Sequence, residues 1–296
     1  MRRAARLLSV LPVLVLAACQ QAPPPDGKPL VVASFYPMYD FTRHVAADRA
    51  QVISLVPPGV HGHDWEPSPQ DVAQVRRARV FVYNGAGFEP WVDKLLAEGK
   101  GASTVVVAAS AGLTVARADG EGMDPHVWLD PLLARRQVEA IRDALERSDP
   151  LGKAAYAANA SAYGEKLAAL DARFDAGLRD CARRELVVSH AAFGYLARRY
   201  RLTQIAVTGL APQAEPSPAA LAAIVRTARE RQVTAIFLEP LVSPRLAEAL
   251  AREVGVRLLI LDPVEGVTKQ EATDGVGYLE LMGKNLESLR EGLGCR

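Results

Sequence analysis

The sequence predicts an α/β protein of two lobes, each a mainly parallel sheet flanked by helices, joined by one long rigid backbone helix, with the functional site in the cleft between the lobes. Three observations carry that expectation. Short β-branched runs alternate with longer amphipathic stretches in two separate blocks of the chain, the pattern of strands linked by crossover helices. Between the blocks lies an Ala-rich stretch with no strand pattern. The chain has 296 residues, 49% hydrophobic and 23% charged, enough for two domains that each bury a core at about 100–200 residues per domain.

In the first block strands are expected at residues 30–35, 51–56, 80–83 and 104–108, with helices near 38–47, 69–76 and 90–98 between them. Residues 131–147 and 150–180 carry no strand pattern, and the second stretch is read as one long helix. Its apolar residues Leu167, Leu170, Phe174 and Leu178 fall at three- and four-residue spacing, and at 1.5 Å per residue it would be about 45 Å long. The second block repeats the rhythm, with strands at 185–189, 203–207, 234–238 and 257–261. Its helices are expected near 191–200, 218–231, 244–254 and 275–293. The N-terminal lobe is thus 29–148, the linking helix 149–181 and the C-terminal lobe 182–296. No internal repeat is present, which sets solenoids and propellers aside.

With 35 basic against 34 acidic side chains and a net charge of +1, the chain lacks the basic stripe of a nucleic-acid binder. Its N-terminus departs from this balance. Arg2, Arg3 and Arg6 precede an apolar run from Leu7 to Ala18, too short for a lasting membrane span and patterned as a secretion signal. The run ends in Leu16-Ala17-Ala18-Cys19, which resembles the lipobox of bacterial lipoproteins. The resemblance implies a signal peptide at 1–18, lipidation of Cys19 and a Pro-rich tether at 19–28. An ordinary signal peptide with a chance cysteine is the alternative. Placed outside the cytoplasmic membrane, Cys181 and Cys295 are expected to pair, two free buried thiols being the other possibility.

Of the five histidines, three sit in turn-rich loops after or between strands. They are His63 in His61-Gly62-His63-Asp64-Trp65-Glu66-Pro67, His126 in Asp124-Pro125-His126-Val127-Trp128-Leu129-Asp130-Pro131, and His190 after the strand at 186–189. Asp262 ends a strand in the same way. Ligand groups of open α/β sheets collect at the carboxyl ends of strands. Three imidazoles and a carboxylate suit a borderline transition metal, but the positions are scattered, so a shared metal shell and three unrelated loop histidines both stay open on the residues alone.

Further segments are Val31-Val32-Ala33-Ser34-Phe35-Tyr36-Pro37, Asn84-Gly85-Ala86-Gly87-Phe88-Glu89-Pro90-Trp91 and Ser189-His190-Ala191-Ala192-Phe193-Gly194-Tyr195-Leu196. Ala214-Glu215-Pro216-Ser217-Pro218 and Leu261-Asp262-Pro263 follow them. With the Asp124–Pro131 segment, and in this order, they resemble the cluster 9, or zinc/manganese, solute-binding family of ABC importers. The resemblance implies His63, His126, His190 and Asp262 as metal ligands, with Zn²⁺ as the carried ion. Mn²⁺ or Fe²⁺ is the alternative, because residues 110–123 hold no histidine where many zinc-specific relatives carry a His-rich loop. His190, at a position commonly Glu in manganese-binding relatives, tilts the shell toward zinc.

Glu239 is read either as orienting a ligating imidazole or as a buried structural carboxylate, His61 as a solvated loop histidine or an accessory ligand, and His44 as structural. The expected partner is an ABC permease, with the chain lipid-anchored at Cys19, exported and monomeric, binding no nucleic acid and catalysing no reaction. A secreted zinc hydrolase and a host-matrix adhesin are the other function classes considered.

Overall fold

The structure, a computed structural model, describes residues 27–114, 122–210, 218–241 and 243–296. The expected signal peptide, Cys19, nearly all of the tether and the 214–217 motif lie outside the described residues, as do 115–121 of the 110–123 loop.

The first lobe runs β1 (Leu30–Ala33), α1 (Tyr36–Ala46), β2 (Gln51–Ser54), α2 (Pro69–Arg77), β3 (Val80–Tyr83), α3 (Val92–Ala97), β4 (Val105–Ala108) and α4 (Pro131–Ser148). Its strands pair in parallel in the order β2-β1-β3-β4. Then comes α5 (Lys153–Gly177), followed by β5 (Glu185–Val188), α6 (Gly194–Arg199), β6 (Thr203–Ala206), α7 (Pro218–Glu230), β7 (Ala235–Leu238), α8 (Arg245–Val254), β8 (Arg257–Ile260), α9 (Lys269–Asp274) and α10 (Tyr278–Leu293). The second sheet is also parallel and repeats the first order as β6-β5-β7-β8. Each lobe therefore has a topological switch point beside its first strand, where loops diverge to either side and leave a crevice.

Local chemistry sets the ends of the helices. Ser68 and Asp71 form a reciprocal cap on α2 with Pro69 in the first turn, and Asp130 caps α4 ahead of Pro131. The linking helix is shorter than expected, 25 residues or about 37 Å. Pro150, which has no N–H, starts a 3₁₀ turn that Asp149 closes through the Gly152 amide, and the regular helix begins only after it. The helix expected near 275–293 is preceded by a separate α9, which starts at a Thr268/Glu271 capping box and ends at Gly275 with φ +71°. The 191–200 stretch opens as a 3₁₀ turn, Ala191–Phe193, before α6.

Helix α5 packs on α1 and α4 of the first lobe and on α10 of the second. Near its start Asn159 Nδ2 donates to the Val45 carbonyl and Tyr163 Oη to Asp40 Oδ2, at 3.0 and 2.8 Å. Nearer its end Asp171 accepts from both Arg199 and Tyr200, and Phe174 stacks on Tyr200. Across the cleft, Trp128 Nε1 donates to the Pro263 carbonyl at 2.7 Å, Tyr36 Oη to Val276 O at 2.7 Å and Tyr195 Oη to Asp124 O at 2.9 Å. One apolar cluster runs from Val31 through Trp128, Leu167 and Phe193 to Leu293, so the lobes share a core instead of swinging on a flexible hinge.

Cys181 and Cys295 form a disulfide across 114 residues, tying the chain end to the segment that leaves α5. Replacing both by serine is expected to lower the unfolding free energy by up to about 4–5 kcal/mol with the fold retained. Equilibrium denaturation of the oxidised protein and the double variant measures the difference.

Candidate metal centre

The three loop histidines are each held by a 3₁₀ turn. His63 lies inside Gly62–Asp64, His126 precedes Val127–Leu129 and His190 precedes Ala191–Phe193. At the first turn a Cβ on Gly62 would lie 2.9 Å from the Phe88 ring and force it to shift, the same ring that packs on His63 with centroids 4.4 Å apart.

At the second, Asp124 Oδ1 accepts both the His126 backbone N–H at 3.0 Å and Nδ1 at 2.9 Å. At the third, β5 and β7 are neighbours, so the residues just past them meet. Glu239 Oε1 accepts the His190 backbone N–H at 3.2 Å and lies 2.7 Å from Nδ1. Both carboxylates turn the Nε2 atoms of their histidines inward.

The fourth inward group is Glu265, not Asp262. His63, His126, His190 and Glu265 present donor atoms that all lie within 4.8 Å of one another. Glu265 Oε1 is 3.1 Å from His126 Nε2, 3.3 Å from His190 Nε2 and 3.5 Å from His63 Nε2, and the Nε2 atoms of His63 and His126 are 3.4 Å apart. A tetrahedron of Zn–N and Zn–O bonds near 2.0–2.1 Å has edges of about 3.3–3.4 Å.

Asp262 sits outside this set because its own loop occupies it. Its Oδ1 accepts the Val264 N–H at 2.7 Å, and Asn285 clamps its backbone through both the N–H and the carbonyl. The resulting turn holds buried Val264 at φ +56° and aims Glu265 at the histidines. Such aspartate self-turns are a local alternative to ligation, and the Asp262-Pro263 pair was the signal for one. Asp124 is a second functional residue that the sequence reading did not single out, although it lies in the same motif as His126.

Burial would lower the affinity of His190 for a proton, but Glu239 and Glu265 outweigh it and push the group up to about 10. His126 is likewise raised against burial by Asp124 and Glu265, while burial prevails at His63 and lowers it. Burial acts against the Glu265 charge, yet the surrounding imidazoles hold its carboxyl well below the usual range. Burial pushes Asp262 up to about 7. Among the described residues, both Glu265 oxygens and His190 Nε2 are buried with no directed hydrogen-bond partner, the condition of groups that suit a cation.

His61 departs from the solvated-loop expectation. Its side chain is only 9% exposed and its Nε2 lies 3.0 Å from Glu265 Oε2. His44 is remote from this cluster, with Nδ1 2.7 Å from the Asp40 carbonyl and its ring stacked on Tyr163.

The family model described as zinc-uptake complex component A, periplasmic, matches residues 31–292. The high-affinity zinc uptake system protein ZnuA of Bacillus subtilis is 37% identical over 280 residues, covering 89% of this chain and 87% of that protein. The zinc-binding lipoprotein AdcA of Streptococcus pneumoniae serotype 4 is 38% identical over 305 residues, covering 98% of this chain, which spans only 61% of that relative's length. Among solved structures, the Zn(II)-bound ZnuA-like domain of Streptococcus pneumoniae AdcA matches with a TM-score of 0.80 and 39% identity, over 90% of this chain and 99% of that domain.

If Asp262 acts through its turn and Glu265 directly, Asp262→Asn should weaken binding of a divalent transition ion less than Glu265→Gln does. Glu239→Gln should cost about 10–100-fold by releasing the His190 ring. Competition against a chromophoric chelator ranks the three variants.

Proposed function

The chain belongs to the zinc-uptake complex component A family, and from that premise we propose that it captures Zn²⁺ outside the cytoplasmic membrane and delivers it to the permease of an ABC importer. The observation that carries the reading is the convergence of three imidazole nitrogens and one carboxylate oxygen, two donors from each lobe, at separations close to tetrahedral edges. His63, His126, His190 and Glu265 are the proposed ligands. A nitrogen-rich set of four favours zinc over manganese, which prefers more oxygens and a larger shell.

The ion is proposed to pass His63. His126 and His190 are fully buried, whereas the His63 side chain keeps 12% exposure and borders a cavity of about 470 Å³ lined also by Trp65, Glu66, Trp91 and Lys94. Because α5 and the shared core restrain the lobes, release involves the ligand loops more than a wide domain swing. Four donors fill a zinc shell and leave no position for an activated water, and Glu239 is already engaged by His190, so the role is carriage and not hydrolysis. The signal at 1–18, the anchor at Cys19 and the tether at 19–28 would hold a monomeric receptor beside the permease. The lobes are assigned to 29–148 and 182–296, with 149–181 linking them.

Titration of the metal-stripped protein with Zn²⁺ and Mn²⁺ in competition tests this. One tight equivalent of Zn²⁺ that Mn²⁺ does not displace is expected, and His126→Ala should weaken it by about 100-fold or more. Preference for Mn²⁺ would change the cargo, and no tight binding of either would overturn the reading.

Only the neutral imidazole can bind the ion, and His190 holds its proton up to about 10 without one, so Zn²⁺ must displace protons at neutral pH. Affinity should rise with pH, with proton release seen calorimetrically in buffers of different ionisation heat. A binding constant flat from about pH 8 to about pH 5 would exclude ligation by three histidines.

A further inference from the structure

We propose that His61 sets how Glu265 binds the ion, confining it to one oxygen and so fixing the site at four ligands. The proposal rests on the zinc-carrying reading above and concerns its selectivity.

The two oxygens of Glu265 face different groups. Oε1 faces the three convergent Nε2 atoms at 3.1–3.5 Å. Oε2 faces His61 Nε2 at 3.0 Å, and His61 is outside the converging set. His61 Nε2 is within reach of Oε2 but not aligned with it, neither atom having a directed hydrogen-bond partner among the described residues. With Oε1 on the ion, a small turn of a neutral His61 ring lets its Nε2–H donate to Oε2 and occupy the lone pair that a second metal–oxygen bond would need.

The placement is built into the loop. His61 and His63 lie nearly parallel, rings 5.5 Å apart and inclined by 21°, on either side of Gly62, whose missing Cβ leaves room for Phe88. Both His61 and Glu265 are shielded, with side chains 9% and 1% exposed, so water competes little for Oε2.

Carboxylate denticity separates the candidate ions. With one oxygen bound, three nitrogens and one oxygen make the four-coordinate shell that zinc adopts readily. With both bound, the shell grows to five and gains the oxygen character that manganese favours. His61 is therefore a positioning residue that acts through Glu265, raising discrimination against ions that need larger shells.

The test compares the wild-type protein with His61→Ala and His61→Gln, the glutamine amide being able to replace the Nε2–H donor. Zinc and manganese affinities are measured by competition, and coordination is read from the visible absorption of the Co²⁺ form, which is intense when four-coordinate and weak when the shell expands.

Wild type and His61→Gln should give the intense spectrum. His61→Ala should keep zinc binding, lose intensity and cut the zinc-over-manganese ratio by about 10-fold or more. An unchanged spectrum and ratio in His61→Ala would overturn the proposal, as would a wild-type Co²⁺ form that is not four-coordinate. Loss of zinc binding in His61→Ala alone would make His61 a ligand and also overturn it. Failure of the wild-type protein to bind zinc would defeat the underlying reading itself.

Discussion

A carboxylate buried as deeply as Glu265, 1% exposed, can stay charged only if positive or hydrogen-bonding groups surround it. Desolvating a lone carboxylate costs several kcal/mol even after the protein relaxes, on the order of what a whole domain has in reserve. Four imidazoles meet that need here, and much of the loop architecture holds them and the carboxylate in place. Asp262 shapes the turn before Glu265, Asn285 clamps Asp262, and Trp128 of the first lobe binds the Pro263 carbonyl inside that turn. On the other side of the cluster, Asp124 and Glu239 fix the rings of His126 and His190. The negative charge at the centre and the outward-facing carboxylates alternate with imidazoles, so each histidine sits between two acceptors or beside one.

That geometry needs a frame that does not flex by more than fractions of an ångström, since the donors come from loops on both lobes. Helix α5 supplies one side of it, bonded to α1 near its start and to α6 near its end. The Cys181–Cys295 bridge closes the far side of the second lobe. The repeated strand order explains why the loops point the right way. With both sheets parallel and switching at the first strand, the carboxyl ends of β1, β3, β5 and β7 face one crevice, and His190 and Glu239 follow β5 and β7 directly.

The fold was largely legible because the central strands β1, β3, β5 and β7 are short apolar runs that are mostly buried, a signal that survives without tertiary context. Boundaries drifted where a single residue decided the end, as at Pro150 and Gly275. The histidines were singled out in sequence too: His190 stands just past a buried strand, where a polar side chain has few places to go, and His63 and His126 stand in turn-rich loops between strands. Glu265 was not. In sequence it stands three residues beyond Asp262, and which of two nearby carboxylates reaches the site depends on whether the first is consumed by its own backbone. The Pro after Asp262 hints at that turn, but the Asn285 clamp, 23 residues away in sequence, is what secures it. His61, read as a solvated loop histidine or an accessory ligand, is shielded and lies 3.0 Å from Glu265 of the opposite lobe, a neighbour that the sequence did not reveal.

The same cluster also links stability to cargo. Among the described residues, the Glu265 oxygens and His190 Nε2 are buried without directed hydrogen-bond partners, and a group left so costs about 1–3 kcal/mol. A divalent cation bound to Glu265 Oε1 and His190 Nε2 would satisfy those two atoms and stabilise the folded state in proportion to its occupancy. A receptor that must also surrender its ion cannot remove this cost by filling the site with internal hydrogen bonds, because those would compete with the cargo. The cost of these unsatisfied groups is therefore offset elsewhere, by the shared apolar core, the linking helix and the disulfide. Rigid surroundings around an under-satisfied centre let the ligand loops give up the ion while the rest of the molecule stays folded.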